Sequence, residues 1–379
     1  MITLLDDRRR LTLAEILLRV VLVLVVIAIA RPVFYMDIAV YFERAQGIEL
    51  RHLPYRDFLW EYPPLSAFPL ALIPVTGGGK AAFAFVFTSV MLVLEYGSLE
   101  MLRRARPEHR LQITKLWTVT VLPVSAIAWF RLDFISVLLA TLALIEMVRG
   151  RSYAFATVAG FGAKLWPIAF GVAMAAQRRW RELAYTVGGA CVVLLAWWAL
   201  SPHGFHEFLR YRRGSGFQVE SMPGVLLLLA GRRAQVLYGA QVVDDTGWEW
   251  VQTLYNVIVV IVPLATLVVA WRRPFNPVAL VGAVVCALLL STRLLSPQFL
   301  VWLAPLVAWL WPQYRRQGVL YGICTWMTAV VIEFYRDFLH HNQLVEVLLL
   351  VRNVFLLLLM IELYRVAFQR DELAGARGS

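Results

Sequence analysis

Charge is what this sequence has least of: Asp, Glu, Lys and Arg together make up 16% of its 379 residues, where a soluble domain carries roughly a quarter. That scarcity excludes an ordinary soluble enzyme. With 60% hydrophobic residues the chain is not disordered either. Cysteine is nearly missing too. The three present, Cys191, Cys286 and Cys324, sit inside apolar runs, so neither a disulfide scaffold nor a cysteine metal cluster can be read from them. Acidic residues are the scarcer charge, 25 against 36 Lys and Arg. In a soluble protein that surplus would point to nucleic acid. Here it falls in short clusters between apolar runs, as the loops of a membrane protein require, and no nucleic-acid partner is expected.

What is plentiful is apolar sequence in bilayer-sized lengths. About 20 mostly apolar residues cross ~30 Å of hydrocarbon. Candidate spans fall near 13–34, 81–102, 114–130, 132–148, 183–200, 251–271, 277–292, 297–311, 317–334 and 344–366. Residues 65–75, with Pro69 and Pro74 near, are too short to cross and are expected to be re-entrant. Residues 152–177 are long but divided by Lys164 and Pro167, and read as two half-helices meeting at a buried turn. The expected fold is an all-α polytopic membrane protein, one integral domain over 1–379, with about 10–12 transmembrane helices, re-entrant or half-helices, and external loops.

Lys and Arg near span ends mark the cytoplasmic side. Place Arg8–Arg10 inside, treat 65–75 as re-entrant, and let 152–177 go in and back. Then Arg103/Arg104/Arg106/Arg110, Arg149/Arg151, Arg178/Arg179/Arg181, Arg272/Arg273 and Arg315/Arg316 all land inside, as do Arg365 and Arg370. Both termini, with the tail 371–379, are expected in the cytoplasm and the body in the plasma membrane. Arg8–Arg10, an apolar run and Ala28-Ile29-Ala30 share the layout of a cleavable secretory signal. Pro32 lies just beyond, however, and the apolar character continues to Tyr35, so the segment is expected to remain as the first span.

The same topology sends most of the unexplained polar residues to the other, extracytoplasmic side. They lie in the first loop 36–64, the turn Arg131-Leu132-Asp133, Lys164 at its hairpin tip, the large loop 201–250, Arg293–Gln298 and Arg336–Asn342. Ionisable groups near lipid are costly and usually functional. Asp37, in YMDIAVY (Tyr35–Tyr41), follows the first span almost at once and is a candidate general base; the plainer alternative is a pair with Arg31 or a solvated helix end. Arg210, Arg212 and Arg213 precede Gly214-Ser215-Gly216, with Glu220 and Ser221 following. Guanidinium groups bind phosphate through paired hydrogen bonds, though such a loop could equally lie on lipid headgroups. Lys164 and Arg293 stand in apolar surroundings and need an anionic partner or a wet cavity. His340-His341, beside Arg336 and Asp337, read as a solvated loop; no metal or cofactor is expected.

Six short stretches carry a resemblance. They are D-x-x-x-Y (Asp37, Tyr41), P-Y-x-D-F (Pro54–Phe58), E-Y-P-P-L (Glu61–Leu65), R-L-D-F (Arg131–Phe134), A-K-L-W-P (Ala163–Pro167) and L-S-P-Q-F-L-V-W-L (Leu295–Leu303). In kind and order the chain resembles the polytopic glycosyltransferases of the GT-C superfamily, and within it the glycosyltransferase 87 group, which includes mycobacterial α-1,2-mannosyltransferases. The likeness runs from about residue 20 to 310. It implies transfer of a sugar, mannose by analogy, from a polyprenyl-phosphate carrier to a hydroxyl of a lipid-linked glycan outside the cytoplasmic membrane. Asp37 matches the family's proposed base. Arg131 and Leu132 are a departure, since a Gly-Gln pair often precedes the later aspartate, here Asp133.

The chemistry agrees with that resemblance. A sugar phosphate has a good leaving group, so transfer needs a base for the acceptor hydroxyl and positive charge for the departing phosphate. Asp37 is the candidate for the first; Lys164, Arg293, Arg210, Arg212 and Arg213 are candidates for the second. One base in a direct displacement implies inversion at the anomeric carbon. Tyr41, Tyr62, Asp133, Glu220, Ser221 and Gln298 are candidate contacts to sugar or acceptor. The alternatives are a transporter, which should show related halves that are not visible, and a non-catalytic lipid-binding protein, which would not explain Asp37, Lys164 and Arg293 on one side.

Overall fold

The computed structural model describes residues 13–21, 24, 32–58, 60–73, 79–206, 216–237 and 240–369. Its principal helices are Pro32–Glu49, Gly79–Ala105, Arg110–Ala128, Asp133–Val148, Ala154–Ala163, Trp180–Leu200, Glu249–Arg272, Pro277–Ser291, Arg315–Glu333 and Gln343–Phe368. The span expected at 297–311 is the 3-10 helix Pro297–Leu303 running into the α-helix Ala304–Leu310. Every span expected beyond residue 34 therefore carries helix. The first, 13–34, is helical over 13–21, but part of it lies outside the described residues.

Four of the described helices are long and apolar enough to cross a bilayer by themselves: Gly79–Ala105, Trp180–Leu200, Trp250–Arg272 and Gln343–Phe368. Several others are shorter. Pro277–Ser291 has 15 residues, about 22 Å at an α-helical rise, yet it is buried along nearly its whole length. A helix sheathed in protein need not match the lipid thickness. Trp180–Leu200 and Glu249–Arg272 are the opposite case. Val187, Val192 and Leu195 on one, and Val260, Ile261 and Leu264 on the other, are exposed, which suits contact with hydrocarbon. The molecule is a helical membrane bundle.

Its centre is the pair Pro277–Ser291 and Gln343–Phe368, with Arg315–Glu333 packed on the latter. Arg110–Ala128 joins these to the Pro297–Leu303 turn, and Gly79–Ala105 packs on Asp133–Val148, which packs on Ala154–Ala163. Within this body a buried bidentate pair links Arg19 to Glu95, whose Oε1 also accepts from Trp117 Nε1 at 2.7 Å.

Residues 152–177 enter and return. Ala154–Ala163 stops at Lys164, whose backbone is extended (φ −159°, ψ 140°); Trp166–Ala169 is a 3-10 turn with Pro167 near its start, and Phe170–Ala176 leads back. The two ends of the segment meet: Tyr153 Oη donates to Gln177 Oε1 at 3.0 Å, and the Tyr153 and Phe170 rings lie 6.3 Å apart. The short stretch after Pro63 likewise forms only the turn Pro64–Ala67 and the helix Phe68–Leu72 before the described residues pause at 73.

Linked contacts gather the basic clusters at one end of the bundle. Arg103 pairs with Glu15, Arg106 donates to the Trp309 carbonyl at 2.7 Å, and Arg316 pairs with Glu362 at 3.0 Å. The Asn276 amide reaches the Ala367 carbonyl, Trp271 reaches the Ala175 carbonyl, and Arg179 holds the Gly150 and Arg151 carbonyls.

At the opposite end, the loop after Leu200 holds structure the sequence reading did not anticipate. Strands β1 (Phe217–Gln218), β2 (Ala234–Leu237) and β3 (Ala240–Val243) form an antiparallel sheet in the order β1-β3-β2, with the helix Met222–Leu229 beside it. Phe217, Val225, Leu228 and Val243 share a small core with Phe338 and Leu349, which pins this cap onto the last helix.

Candidate active site

Asp37 lies in the second turn of Pro32–Glu49, a helix that extends into the first external loop expected at 36–64 and covers Phe42–Gly47, which reads as helical from sequence. Its carboxylate pairs with Arg131, which stands in the turn between Arg110–Ala128 and Asp133–Val148. The residue that departs from the family pattern is thus a partner of the candidate base; Arg31, the partner considered from sequence, lies outside the described residues. Both side chains are partly open, Asp37 27% and Arg131 26% exposed. Burial outweighs the arginine and pushes the Asp37 carboxyl above the usual aspartate range.

One helical turn on, Tyr41 Oη lies 3.1 Å from Tyr62 Oη, and both rings are packed against Trp60. Tyr62 is held in turn by Tyr55, whose hydroxyl donates to the Tyr62 carbonyl. The Tyr55 carbonyl accepts from Ser201 Oγ at 2.6 Å, which ties the first loop to the end of Trp180–Leu200. Asp57 accepts from the Leu53 amide at 2.7 Å and closes the Pro54–Phe58 turn.

The later motifs meet at Asp133. Its Oδ1 accepts from Lys164 Nζ and from Trp302 Nε1, each at 2.6 Å. Asp133 is 1% and Lys164 8% exposed. The ammonium also lies over the rings of Phe299 (4.6 Å), Tyr62 (5.2 Å) and Trp302 (5.4 Å). Trp302 stacks between Trp166 and Phe299, and Trp166 Nε1 donates to Ser136 Oγ at 2.9 Å. Tyr62 therefore joins the Tyr41 side to the Asp133–Lys164 side. Arg131 lies within electrostatic reach of Asp37, Tyr41, Tyr62 and Asp133 together. Asp133 Oδ2 is buried with no hydrogen-bond partner among the described residues.

The cap loop adds Glu220, also within reach of Arg131. Arg352 approaches the Glu220 carboxylate and carbonyl at 3.3 Å, and Asn353 Nδ2 donates to the same carbonyl at 3.2 Å. Burial pushes the Glu220 carboxyl up to about 8. Ser221 caps the helix Met222–Leu229: its Oγ accepts from the Gly224 amide at 3.1 Å and donates to the Gln218 carbonyl at 2.7 Å. A Cβ on Gly224 would overlap that same carbonyl, so the turn requires glycine there.

Arg293 stands between Pro277–Ser291 and the Pro297–Leu303 turn. Its guanidinium holds the Gly216 carbonyl (2.9 Å from Nη2) and Asp245 (3.4 Å), bracing the cap. Gln298 is buried in the Pro297–Leu303 turn, with Oε1 lacking a partner among the described residues. Arg210, Arg212 and Arg213 lie outside the described residues. The structure thus brings together Asp37, Tyr41, Tyr62, Asp133, Lys164 and Glu220.

Sequence reasoning passed over Trp302, Phe299 and Arg352. The first two stood inside the last motif; an arginine in a long apolar helix was the available signal for the third. Comparison with known protein families matches residues 60–297 to glycosyltransferase family 87. No curated protein and no solved structure matches the chain.

Proposed function

Because the chain belongs to glycosyltransferase family 87, and is therefore a glycosyltransferase, we propose that it moves a sugar from a polyprenyl-phosphate donor to a hydroxyl of a lipid-linked glycan, with Asp37 as general base. Mannose is the sugar favoured by the resemblance. The observation that carries this reading is the contrast in exposure within one cluster. Asp133 is closed off by Lys164 and Trp302, whereas Asp37 remains partly open beside a cation. A hydroxyl can approach the second carboxylate and not the first.

In the reaction, Asp37 accepts the proton as the acceptor oxygen attacks the anomeric carbon. The bond from that carbon to the phosphate oxygen breaks, and polyprenyl phosphate leaves with the electron pair. A single attack from the face opposite the phosphate inverts the anomeric configuration. Positive charge from Arg131 suits the departing phosphate, and Phe299, the partly exposed ring of the Trp166–Trp302–Phe299 stack, offers a flat apolar face to a sugar ring. The site lies at the end opposite the basic clusters. With those facing the cytoplasm, the reaction takes place on the extracytoplasmic side of the plasma membrane.

The test incubates purified protein with labelled polyprenyl-phosphate sugars and a membrane lipid extract, following donor consumption and lipid-linked product. Transfer from a polyprenyl-phosphate mannose, lost in Asp37→Asn, is the expected result. Full activity in Asp37→Asn would remove the base assignment, and consumption of a nucleotide sugar alone would remove the donor class.

A further inference from the structure

The Asp37–Arg131 pair sets a chemical problem. A carboxylate gripped by a guanidinium is a poorer base than the same carboxylate released, because the cation stabilises its charged form. A guanidinium spent on a carboxylate is likewise not free to neutralise a phosphate. Yet this pair is the open part of the cluster, 27% and 26% exposed, so an arriving anion can reach it.

We propose that the pair is a latch opened by the donor: the donor phosphate takes over the Arg131 guanidinium, and Asp37, released, becomes competent to accept the acceptor's proton. The inference rests on the donor class and base given above. It adds that masking of the base and recognition of the phosphate depend on one side chain.

The neighbours of Arg131 make Asp37 the partner that is exchanged. The groups that face the guanidinium electrostatically are Asp37, Tyr41, Tyr62, Asp133, Glu220 and Tyr335. Asp133 is already engaged by Lys164 and Trp302, and Glu220 by Arg352. Tyr41 and Tyr62 bond to each other. The backbone at Arg131 is held, with the Phe130 amide on the Ile127 carbonyl at 3.0 Å and the Arg131 amide on the Ala128 carbonyl at 3.2 Å. Exchange therefore needs only the side chain to turn. Phosphate offers two oxygens in the geometry a guanidinium fork prefers, so the new pair is well matched. Lys164 is a poor substitute, since Asp133 neutralises it and aromatic rings surround it. The latch keeps the base masked until a leaving group is in place.

Coupling of this kind is reciprocal: if phosphate frees Asp37, then removing the Asp37 charge must favour phosphate. A non-transferable short-chain polyprenyl monophosphate is titrated into the purified full-length chain. Asp37→Asn is expected to bind it about tenfold more tightly than wild type, the worth of one charged hydrogen bond. Arg131→Gln binds it at least about tenfold more weakly by the same measure. Adding Asp37→Asn to Arg131→Gln brings no tightening, and Arg131→Lys recovers part of the affinity. Simple loss of negative charge near an anion would tighten binding in the Arg131→Gln background as well, so persistence of the gain there overturns the latch. Equal or weaker binding in Asp37→Asn overturns it too. If wild type transfers sugar but shows no such coupling, the latch alone fails. If wild type neither binds polyprenyl phosphate nor transfers from its sugar ester, the donor assignment beneath it fails as well.

Discussion

Replacing Lys164 by methionine keeps the length of the side chain and removes its cation from Asp133. The Asp133 carboxylate would then be left buried with Trp302 Nε1 as its one retained donor among the contacts described above. Breaking a buried ion pair from one side costs about 3–5 kcal/mol, because the remaining charge has neither water nor counterion. Asp133→Asn is milder. It leaves the ammonium over Phe299 at 4.6 Å and Trp302 at 5.4 Å, and such contacts return about 0.5–2 kcal/mol. In the double variant Lys164→Met/Asp133→Asn neither charge is stranded. Its loss should fall short of the sum of the singles by about 2 kcal/mol or more, the signature of direct coupling. The assay is the thermal unfolding midpoint of purified protein in a single detergent at fixed pH. Strict additivity, or an unchanged midpoint in Lys164→Met, would refute the pairing and with it the floor of the proposed site.

Three further outcomes follow from the geometry. Asp37→Asn should lower kcat by about 10²–10⁴, the usual worth of a general base, in a donor-consumption assay. Because the base is the charged form of Asp37 and burial raises its pKa, kcat/KM should rise with pH through a value above the ordinary aspartate range; an acid limb at or below that range would contradict the assignment. Glu220 holds its proton up to about 8 in the folded chain against 4.5 for the free side chain. The folded state then binds more protons across that window, so this group's contribution to stability falls as pH rises through it, and Glu220→Gln should flatten the stability profile there.

Much of the architecture was legible because bilayer-length apolar runs and basic end clusters are local signals. The break at Lys164 follows from a charge and a proline inside apolar sequence and is found there, while the end of the stretch 65–75, expected to be re-entrant, lies outside the described residues. The pairings were not legible. Asp37 with Arg131, Arg19 with Glu95 and Glu220 with Arg352 join helices or loops far apart in the chain, and no spacing rule reports which helix packs beside which. The apolar setting of Arg293 in the sequence suits a phosphate ligand and equally the brace on Gly216 and Asp245. Ser221, by sequence a candidate contact to sugar or acceptor, caps the helix Met222–Leu229.

The hairpin at 152–177 bears on how the chain can be mapped. A segment that goes in and comes back adds nothing to the parity of crossings, so reporters fused at Gly150 and Arg178 should label the same compartment, although 27 residues separate them. The turn at Lys164 lies at the opposite end of the bundle. Hydropathy alone counts that stretch as a passage, and any map drawn from it would invert everything downstream.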